Sequence, residues 1–145
     1  MKPSYGARSR QVLATLHPDL SMIFEAVLKA GFDHSLLEGY RDEETQNRYY
    51  REGVSKVRFP HSKHNVSPSM AVDAMPWFRQ PPNIDWAHQP SFYHFAGVVR
   101  GVALVKFEAG DIKHLIRWGG DWNNNFDVRE KEWVDAAHFE LYLPT

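Results

Sequence analysis

The segment Met70–Pro76 has the sequence MAVDAMP. Its alternating apolar residues, closed by a proline that cannot donate a sheet hydrogen bond, predict a β-strand over Met70–Met75. One carboxylate, Asp73, lies within this apolar strand. A buried carboxylate needs a partner, and a cation is one such partner. The alternative is an aspartate at a strand end that accepts backbone hydrogen bonds.

Helices and short strands alternate around this strand without a regular βαβ order. Helices are predicted at Asp19–Ala30, from the N-cap Asp42 to Glu52, and at Ser91–Phe107. Further strands are predicted at Phe32–Tyr40, Leu115–Trp118 and Phe139–Leu143, with irregular segments at Val54–Pro68, Trp77–Pro90 and Asp121–Lys131. This order predicts an α+β fold, in which flanking helices cover a small antiparallel sheet. The length predicts a single domain over residues 1–145.

Composition excludes several classes of function. The 17 Lys and Arg residues nearly balance 18 Asp and Glu, so nucleic acid is not expected as a partner. The chain has no cysteine, which removes disulfides, thiol catalysis and cysteine-based zinc sites. The longest apolar stretch, Phe92–Phe107, contains charged residues and is too short for a bilayer, so no stable membrane insertion is expected. Residues Met1–Gln11 are polar and basic, which argues against a signal peptide.

The remaining histidines and carboxylates suggest a catalytic metal site. Zinc in hydrolases typically takes three protein ligands and one water, and His64, Asp73 and His138 would supply two imidazoles and a carboxylate. Asp135 lies three residues before His138 and would accept a proton as general base. Arg41 follows a predicted strand and would stabilise an oxyanion or bind a substrate carboxylate.

Each of these residues also has a purely structural interpretation. A single histidine such as His64 is more often a surface or core residue than a ligand. Asp135 fits an ordinary turn. Arg41 fits a surface ion pair with Asp42 or Glu44, which would stabilise the fold little.

Three motifs together resemble a known enzyme family. They are Ser62-x-His64 followed by Ala71-x-Asp73, Asp135-x-x-His138, and Gly39-Tyr40-Arg41 with Glu44 and Gln46. This set resembles the M15-type zinc peptidases, which include D-Ala-D-Ala dipeptidases, D,D-carboxypeptidases and phage L-alanyl-D-glutamate endolysins. The segments Trp118–Trp122 and His138–Leu141 resemble the short phage endolysins in particular.

The resemblance implies a role for each matching residue. His64, Asp73 and His138 would bind zinc, Asp135 would be the general base, and Arg41 would position substrate or stabilise the transition state. Ser62 would orient the first ligand or contact substrate, and Glu140 would support a ligand histidine. The His64-to-Asp73 spacing is two residues longer than is common in the family, which leaves His61 as an alternative first ligand. His64 is preferred because it keeps the Ser-x-His element.

The function implied is that of a phage endolysin that hydrolyses the L-alanyl-D-glutamate bond of the peptidoglycan stem peptide. Such an enzyme would stay in the host cytoplasm until holins permeabilise the membrane, and would then reach the cell wall. A monomer without a separate wall-binding domain is expected. The alternatives are a D,D-carboxypeptidase or D-Ala-D-Ala dipeptidase, and a non-enzymatic wall-binding or structural protein that keeps the fold.

A polar loop offers a second, weaker cation motif. Oxygen-bearing side chains recur at every second position and again at the twelfth, in Asp121, Asn123, Asn125, Asp127 and Glu132. This is the ligand spacing of a calcium loop, but Phe126 occupies the position where glycine is expected. A solvated loop with asparagines in turns is therefore the favoured interpretation, and Ca²⁺ is kept as the alternative.

Overall fold

The computed structural model describes residues 2–129 and 134–145. The helices are α1 (Ala7–Leu13), α2 (Pro18–Lys29), α3 (Glu43–Arg51) and α4 (Gln89–Glu108). The strands are β1 (His34–Glu38), β2 (Ala71–Pro76), β3 (Leu115–Trp118) and β4 (His138–Tyr142), and a single 3-10 turn covers Lys63–Asn65. The predicted α+β class with one antiparallel sheet is confirmed.

The four strands form one sheet in the order β1-β2-β4-β3, and every neighbouring pair is antiparallel. The two central strands place Asp73 directly opposite His138. The next residues along, Val72 and Phe139, are also opposite each other but point to the other face, because side chains alternate along a strand. Two residues that are far apart in sequence are thus brought together by strand pairing.

Helices α2 and α4 cover the face of the sheet that carries Phe139. The Phe139 ring lies edge-on to Phe24 of α2 and Phe95 of α4, at centroid distances of 5.4 and 5.7 Å. All three rings are almost fully buried. The apolar residues of this layer recur at helical spacing, so the predicted amphipathic helices supply the core. The opposite face, with Asp73 and His138, is left for loops and solvent.

The first helix was not predicted from the sequence. Helix α1 packs along β1, and the Ser9 hydroxyl accepts a hydrogen bond from the Leu36 backbone amide at 3.0 Å. Tyr5, just before the helix, reaches buried His34 at 2.5 Å from its hydroxyl to Nε2. The short, polar helix thereby protects an edge strand of the sheet. Its formation depends on these tertiary contacts rather than on its own apolar pattern.

Capping residues in the sequence help to set where the helices begin. The Asp42 carboxylate accepts a hydrogen bond from the Thr45 amide at 2.8 Å, as expected for an N-cap. Strand β1 is shorter than the predicted Phe32–Tyr40, because the Phe32 amide still bonds to the Val27 carbonyl of α2 at 3.3 Å.

Within the described residues, no helix combines the length and apolar character needed to cross a bilayer.

Candidate active site

An open cleft of about 880 Å³ lies on the sheet face opposite α2 and α4. Asp73 and His138 come from the two central strands, and His64 comes from the 3-10 turn that packs beside them. Arg41 and Asp135 line the same cleft. The structure therefore brings together all five residues that the sequence assigned to metal binding and catalysis.

The ligand atoms of His64, Asp73 and His138 converge on one point. Nε2 of His64 is 3.3 Å from Oδ1 of Asp73, and Nδ1 of His138 is 3.5 Å from the same oxygen. All three ligand atoms lie within 4.8 Å of one another. Ligands about 2.1 Å from a tetrahedral zinc ion would stand about 3.4 Å apart, so the spacing matches a zinc site.

The other ring nitrogens hold the two imidazoles in orientation. His64 donates from Nδ1 to the Gly39 carbonyl at 2.7 Å, and His138 donates from Nε2 to Glu140 Oε1 at 2.9 Å. Each histidine thus turns its remaining nitrogen toward Asp73, as metal-binding histidines do. His64 Nε2 and Asp73 Oδ1 are buried and have no hydrogen-bond partner among the described residues. Unsatisfied buried atoms of these types fit a metal ion.

The protonation states of Asp73 and His138 depend strongly on each other. Burial raises the pKa of Asp73, but its contacts with His138 and His64 outweigh burial and hold the pKa well below the ordinary value. Burial lowers the pKa of His138, yet the carboxylates of Asp73 and Glu140 raise it to about 9. The carboxylates therefore favour the protonated form of His138, so a metal ion at this group would compete with a proton.

Asp135 is held beside the group by backbone hydrogen bonds. Its amide donates to the Gly119 carbonyl at 2.8 Å, and its carbonyl accepts from the His138 amide at 3.0 Å. A Cβ on Gly119 would lie 2.0 Å from the Asp135 carbonyl oxygen, so only glycine allows this approach. Burial and the nearby charge of Asp73 raise the pKa of Asp135. A raised pKa suits a carboxylate that both accepts and returns a proton.

Arg41 is buried, which the surface interpretation did not anticipate. Its guanidinium pairs with Glu38 through Nε at 2.5 Å and bonds to Gln46 Oε1 through Nη1 at 2.8 Å. Nη2 is 3.8 Å from Asp73 Oδ2. The suggested surface pairing with Asp42 or Glu44 is wrong, because Glu38 on β1 is the partner.

Ser62 and the longer loop have clear structural roles. The Ser62 hydroxyl accepts from the His64 amide at 3.1 Å and so caps the turn that carries the ligand. His61 is exposed and lies outside the convergent group, whereas His64 is almost fully buried. The loop between His64 and Asp73 contains Ser69, whose backbone bonds to Thr15 and to His17 and so ties the loop to the start of α2. With this loop length, His64 is the histidine that the structure brings to Asp73 and His138.

Three neighbours of the site were missed by sequence reasoning. Glu38 orients Arg41, and Lys63 lies 3.4 Å from Glu140 and also donates to the Leu141 carbonyl. The Trp122 ring stacks on His138 with a centroid distance of 5.3 Å. The Trp118–Trp122 motif drew attention to this loop, but no local pattern identifies Glu38 as a partner.

The calcium loop finds no support in the described residues. The Asp121 carboxylate is buried against Arg100 at 3.1 Å and accepts from the Phe126 amide at 2.9 Å. The other oxygens of the motif turn back onto their own loop: Asn123 bonds to the Asn125 amide, Asn125 to the Asp127 amide, and Asp127 to Arg129. Glu132, the last position of the motif, lies outside the described residues. The oxygens are therefore used by turns and ion pairs, which corrects the Ca²⁺ assignment.

A second His-Asp-His group lies where α2 begins, formed by His17, Asp19 and His114. Here the atoms are joined by hydrogen bonds. His114 Nδ1 is 2.7 Å from Asp19 Oδ2, which also accepts from the Lys113 amide at 3.0 Å. His17 Nδ1 accepts from the Asp19 amide at 3.0 Å and so caps α2.

Comparisons with known proteins identify the family of the chain. Residues 1–142 match the family model described as phage L-alanyl-D-glutamate peptidase. No curated protein sequence matches the chain significantly. Among solved structures, the chain is similar to the Serratia marcescens L-Ala D-Glu endopeptidase ChiX, with 26% identity and a TM-score of 0.72. The match covers 97% of this chain and 91% of that one. The chain therefore belongs to the phage L-alanyl-D-glutamate peptidase family.

Proposed function

We propose that the protein is a zinc-dependent endopeptidase that hydrolyses the L-alanyl-D-glutamate bond in the stem peptide of bacterial peptidoglycan. One observation carries the zinc assignment: two buried atoms, His64 Nε2 and Asp73 Oδ1, face a common point without a hydrogen-bond partner in the described chain. His138 completes a ligand set of the kind found in zinc hydrolases. Membership of the family supports the choice of bond.

Zinc bound by His64, Asp73 and His138 would supply a Lewis acid and a water of lowered pKa. The chain's own residues would then accept the proton from water and donate it to the leaving group. Asp135 lines the cleft beside the ligands, and its raised pKa lets it take a proton from the attacking water and return it to the leaving amine. Glu140 keeps the His138 ring in the orientation that presents Nδ1 to the ion.

Arg41 has a positioning role in this arrangement. Glu38 and Gln46 fix its guanidinium, and the ring of Tyr49 lies 4.8 Å from its central carbon. Gln46 in turn bonds to the Val57 carbonyl at 2.7 Å, so the arginine is tied to the loop that forms one wall of the cleft. Held in this way, the guanidinium would present N–H groups to a substrate oxygen beside the His64–Asp73–His138 group.

The biological setting follows from the same proposal. We assign the protein the role of a phage endolysin that acts as a monomer. It would accumulate in the host cytoplasm and reach the wall after a holin permeabilises the membrane. Western blots of fractionated infected cells, before and after holin triggering, would test this location. Protein found in the periplasm before holin action would contradict it.

Digestion of purified peptidoglycan tests the reaction. Zinc-loaded protein should produce new L-alanine carboxyl ends and D-glutamate amino ends by mass spectrometry, and chelation should remove them. Release of terminal D-alanine would indicate a carboxypeptidase instead. No cleavage by folded, zinc-loaded protein would indicate a binding or structural role.

A matched pair of variants tests the general base. Asp135→Asn should lower kcat by about 100-fold or more while zinc content and fold are kept. Asp111→Asn changes an exposed aspartate outside the cleft and should leave kcat unchanged. Full activity of Asp135→Asn would contradict the assignment.

A further inference from the structure

A tryptophan on the wall of the cleft has no part in the chemistry described above. Trp86 lies in the irregular segment between β2 and α4 and is 65% exposed. Its side chain lines the same cleft as the His64–Asp73–His138 group. Large aromatic side chains contribute most to stability when they are buried, so an indole exposed on the wall of this cleft is available for contact with substrate.

The position of this ring is fixed by the fold. Asp85 accepts a hydrogen bond from the Ala87 amide at 3.0 Å and its carbonyl accepts from the His88 amide at 3.3 Å, which forms a tight turn around Trp86. The indole packs against buried Phe92 of α4, with ring centroids 6.2 Å apart and planes inclined by 36°. A surface that is already ordered loses little conformational entropy on binding.

The substrate of the proposed reaction carries an apolar surface close to the scissile bond. In peptidoglycan, the L-alanine amine is joined through a lactyl group to a muramic acid ring, so the sugar is separated from the cleaved bond by a single residue. One face of a pyranose ring presents C–H groups with partial positive charge, which pack favourably on the negative face of an aromatic ring. The cleft, at about 880 Å³, is large enough for more than a dipeptide.

We propose that Trp86 forms a sugar subsite that binds the muramyl residue next to the scissile L-alanine. This inference rests on the proposed function, and it adds a preference for stem peptides that are still attached to glycan. Binding energy from this remote contact would place the scissile bond over the ligand group.

Two substrates and three variants, each compared with the wild type, test the subsite. The substrates are a disaccharide-linked stem peptide and the same peptide with an acetyl cap in place of the sugar. Trp86→Ala should lower kcat/KM on the sugar-linked substrate by about tenfold and leave the capped peptide within about twofold. Trp86→Phe should recover part of the loss. Trp77→Ala serves as the control, because Trp77 is a partly exposed tryptophan that lines a separate pocket.

A direct binding measurement separates the subsite from the proposed function. The peptide-free disaccharide GlcNAc-MurNAc should perturb the NMR signal of the Trp86 indole N–H in the wild-type protein, and Trp86→Ala should abolish saturable binding. An equal loss on both substrates, or no loss on either, would overturn the subsite while leaving the peptidase assignment intact. Disaccharide binding without cleavage of either substrate would overturn the peptidase assignment and keep the subsite. Absence of disaccharide binding at millimolar concentration would overturn the subsite.

Discussion

Two groups in this protein contain the same three residue types, two histidines and an aspartate, yet their geometry differs. In the cleft, the nitrogens of His64 and His138 stand 3.3 and 3.5 Å from Asp73 Oδ1. In the second group, His114 stands 2.7 Å from Asp19. The two distances in the cleft are long for hydrogen bonds and match the separation between two ligand atoms of a tetrahedral metal ion. The distance in the second group is that of an ordinary hydrogen bond.

The difference lies in how the remaining polar atoms are satisfied. In the cleft, Gly39 and Glu140 accept hydrogen bonds from the outer ring nitrogens, and His64 Nε2 and Asp73 Oδ1 have no hydrogen-bond partner in the described part of the chain. At the start of α2, backbone amides donate hydrogen bonds to the Asp19 carboxylate and to the His17 ring. Residue composition alone therefore does not define a metal site, and the unsatisfied buried atoms distinguish the two groups.

The largest difference is expected when one histidine of each group is removed. His138→Ala should lose bound zinc and reduce peptide hydrolysis at least about 1000-fold, because a Lewis acid supplies several kcal/mol of transition-state stabilisation. His114→Ala should keep one zinc per chain and near-normal activity. Metal analysis by mass spectrometry and a hydrolysis assay measure both. Two zinc ions per wild-type chain, with one lost in His114→Ala, would contradict the distinction.

A smaller effect is expected from the residue that orients a ligand. Glu140→Ala should weaken zinc affinity about 10- to 100-fold, because the His138 ring loses the acceptor that fixes its orientation. Glu140→Gln keeps an acceptor oxygen and should lose less. Competition with a chelating dye measures the affinity, and Asp19→Asn should show no change. Equal affinity for all four proteins would mean that Glu140 does not orient the ligand.

The second group should affect stability without affecting the metal. His114→Ala removes a hydrogen bond to the partly buried Asp19 carboxylate and should lower the free energy of unfolding by about 1–2 kcal/mol. Urea titration with and without zinc should give the same loss, because we expect this hydrogen-bonded group to bind no ion. A loss that appears only in zinc-loaded protein would show that the group does bind one.

The smallest effect concerns pH. Burial raises the pKa of Asp19, but hydrogen bonds from His114 and the Lys113 amide outweigh burial and lower the pKa below its ordinary value. The Asp19 carboxylate therefore binds a proton more readily in the unfolded chain than in the folded protein. The stabilisation is present above about pH 4 and is lost as pH falls through the lower folded pKa. Urea unfolding should show a larger stability difference between wild type and Asp19→Asn at pH 6 than at pH 3. A constant difference would contradict this.

The sequence predicted the residues that meet in the cleft better than the groups that orient them. Asp73 could be found because a carboxylate within an apolar strand is unusual, and the Ser-x-His element singled out His64. Arg41 was found, but its partner Glu38 was not, because ion pairing between a strand and the following turn leaves no periodic signal. The Gly39 carbonyl, which orients His64, is a backbone atom and has no residue-type signature.

Helix α1 shows a different limit of sequence reasoning. Its polar sequence has no apolar stripe long enough to predict a helix, and its contacts with β1 through Ser9 and Tyr5 appear only once the sheet has formed.

The calcium spacing shows the opposite problem, a sequence pattern that is present without the site it suggests. Oxygens at alternate positions satisfied a motif, but glycine was missing at the required turn, and the structure uses these oxygens to close the loop on itself.

The pairing of Asp73 with His138 has a consequence for folding kinetics. The two residues become neighbours only when β2 and β4 align, which is a contact between distant parts of the chain. An ion cannot find its complete ligand set in the unfolded chain, so zinc should leave the refolding rate almost unchanged. Once bound, it would bridge the two central strands and slow their separation. Zinc bound there would therefore act mainly by slowing unfolding, which would prolong the lifetime of the folded protein.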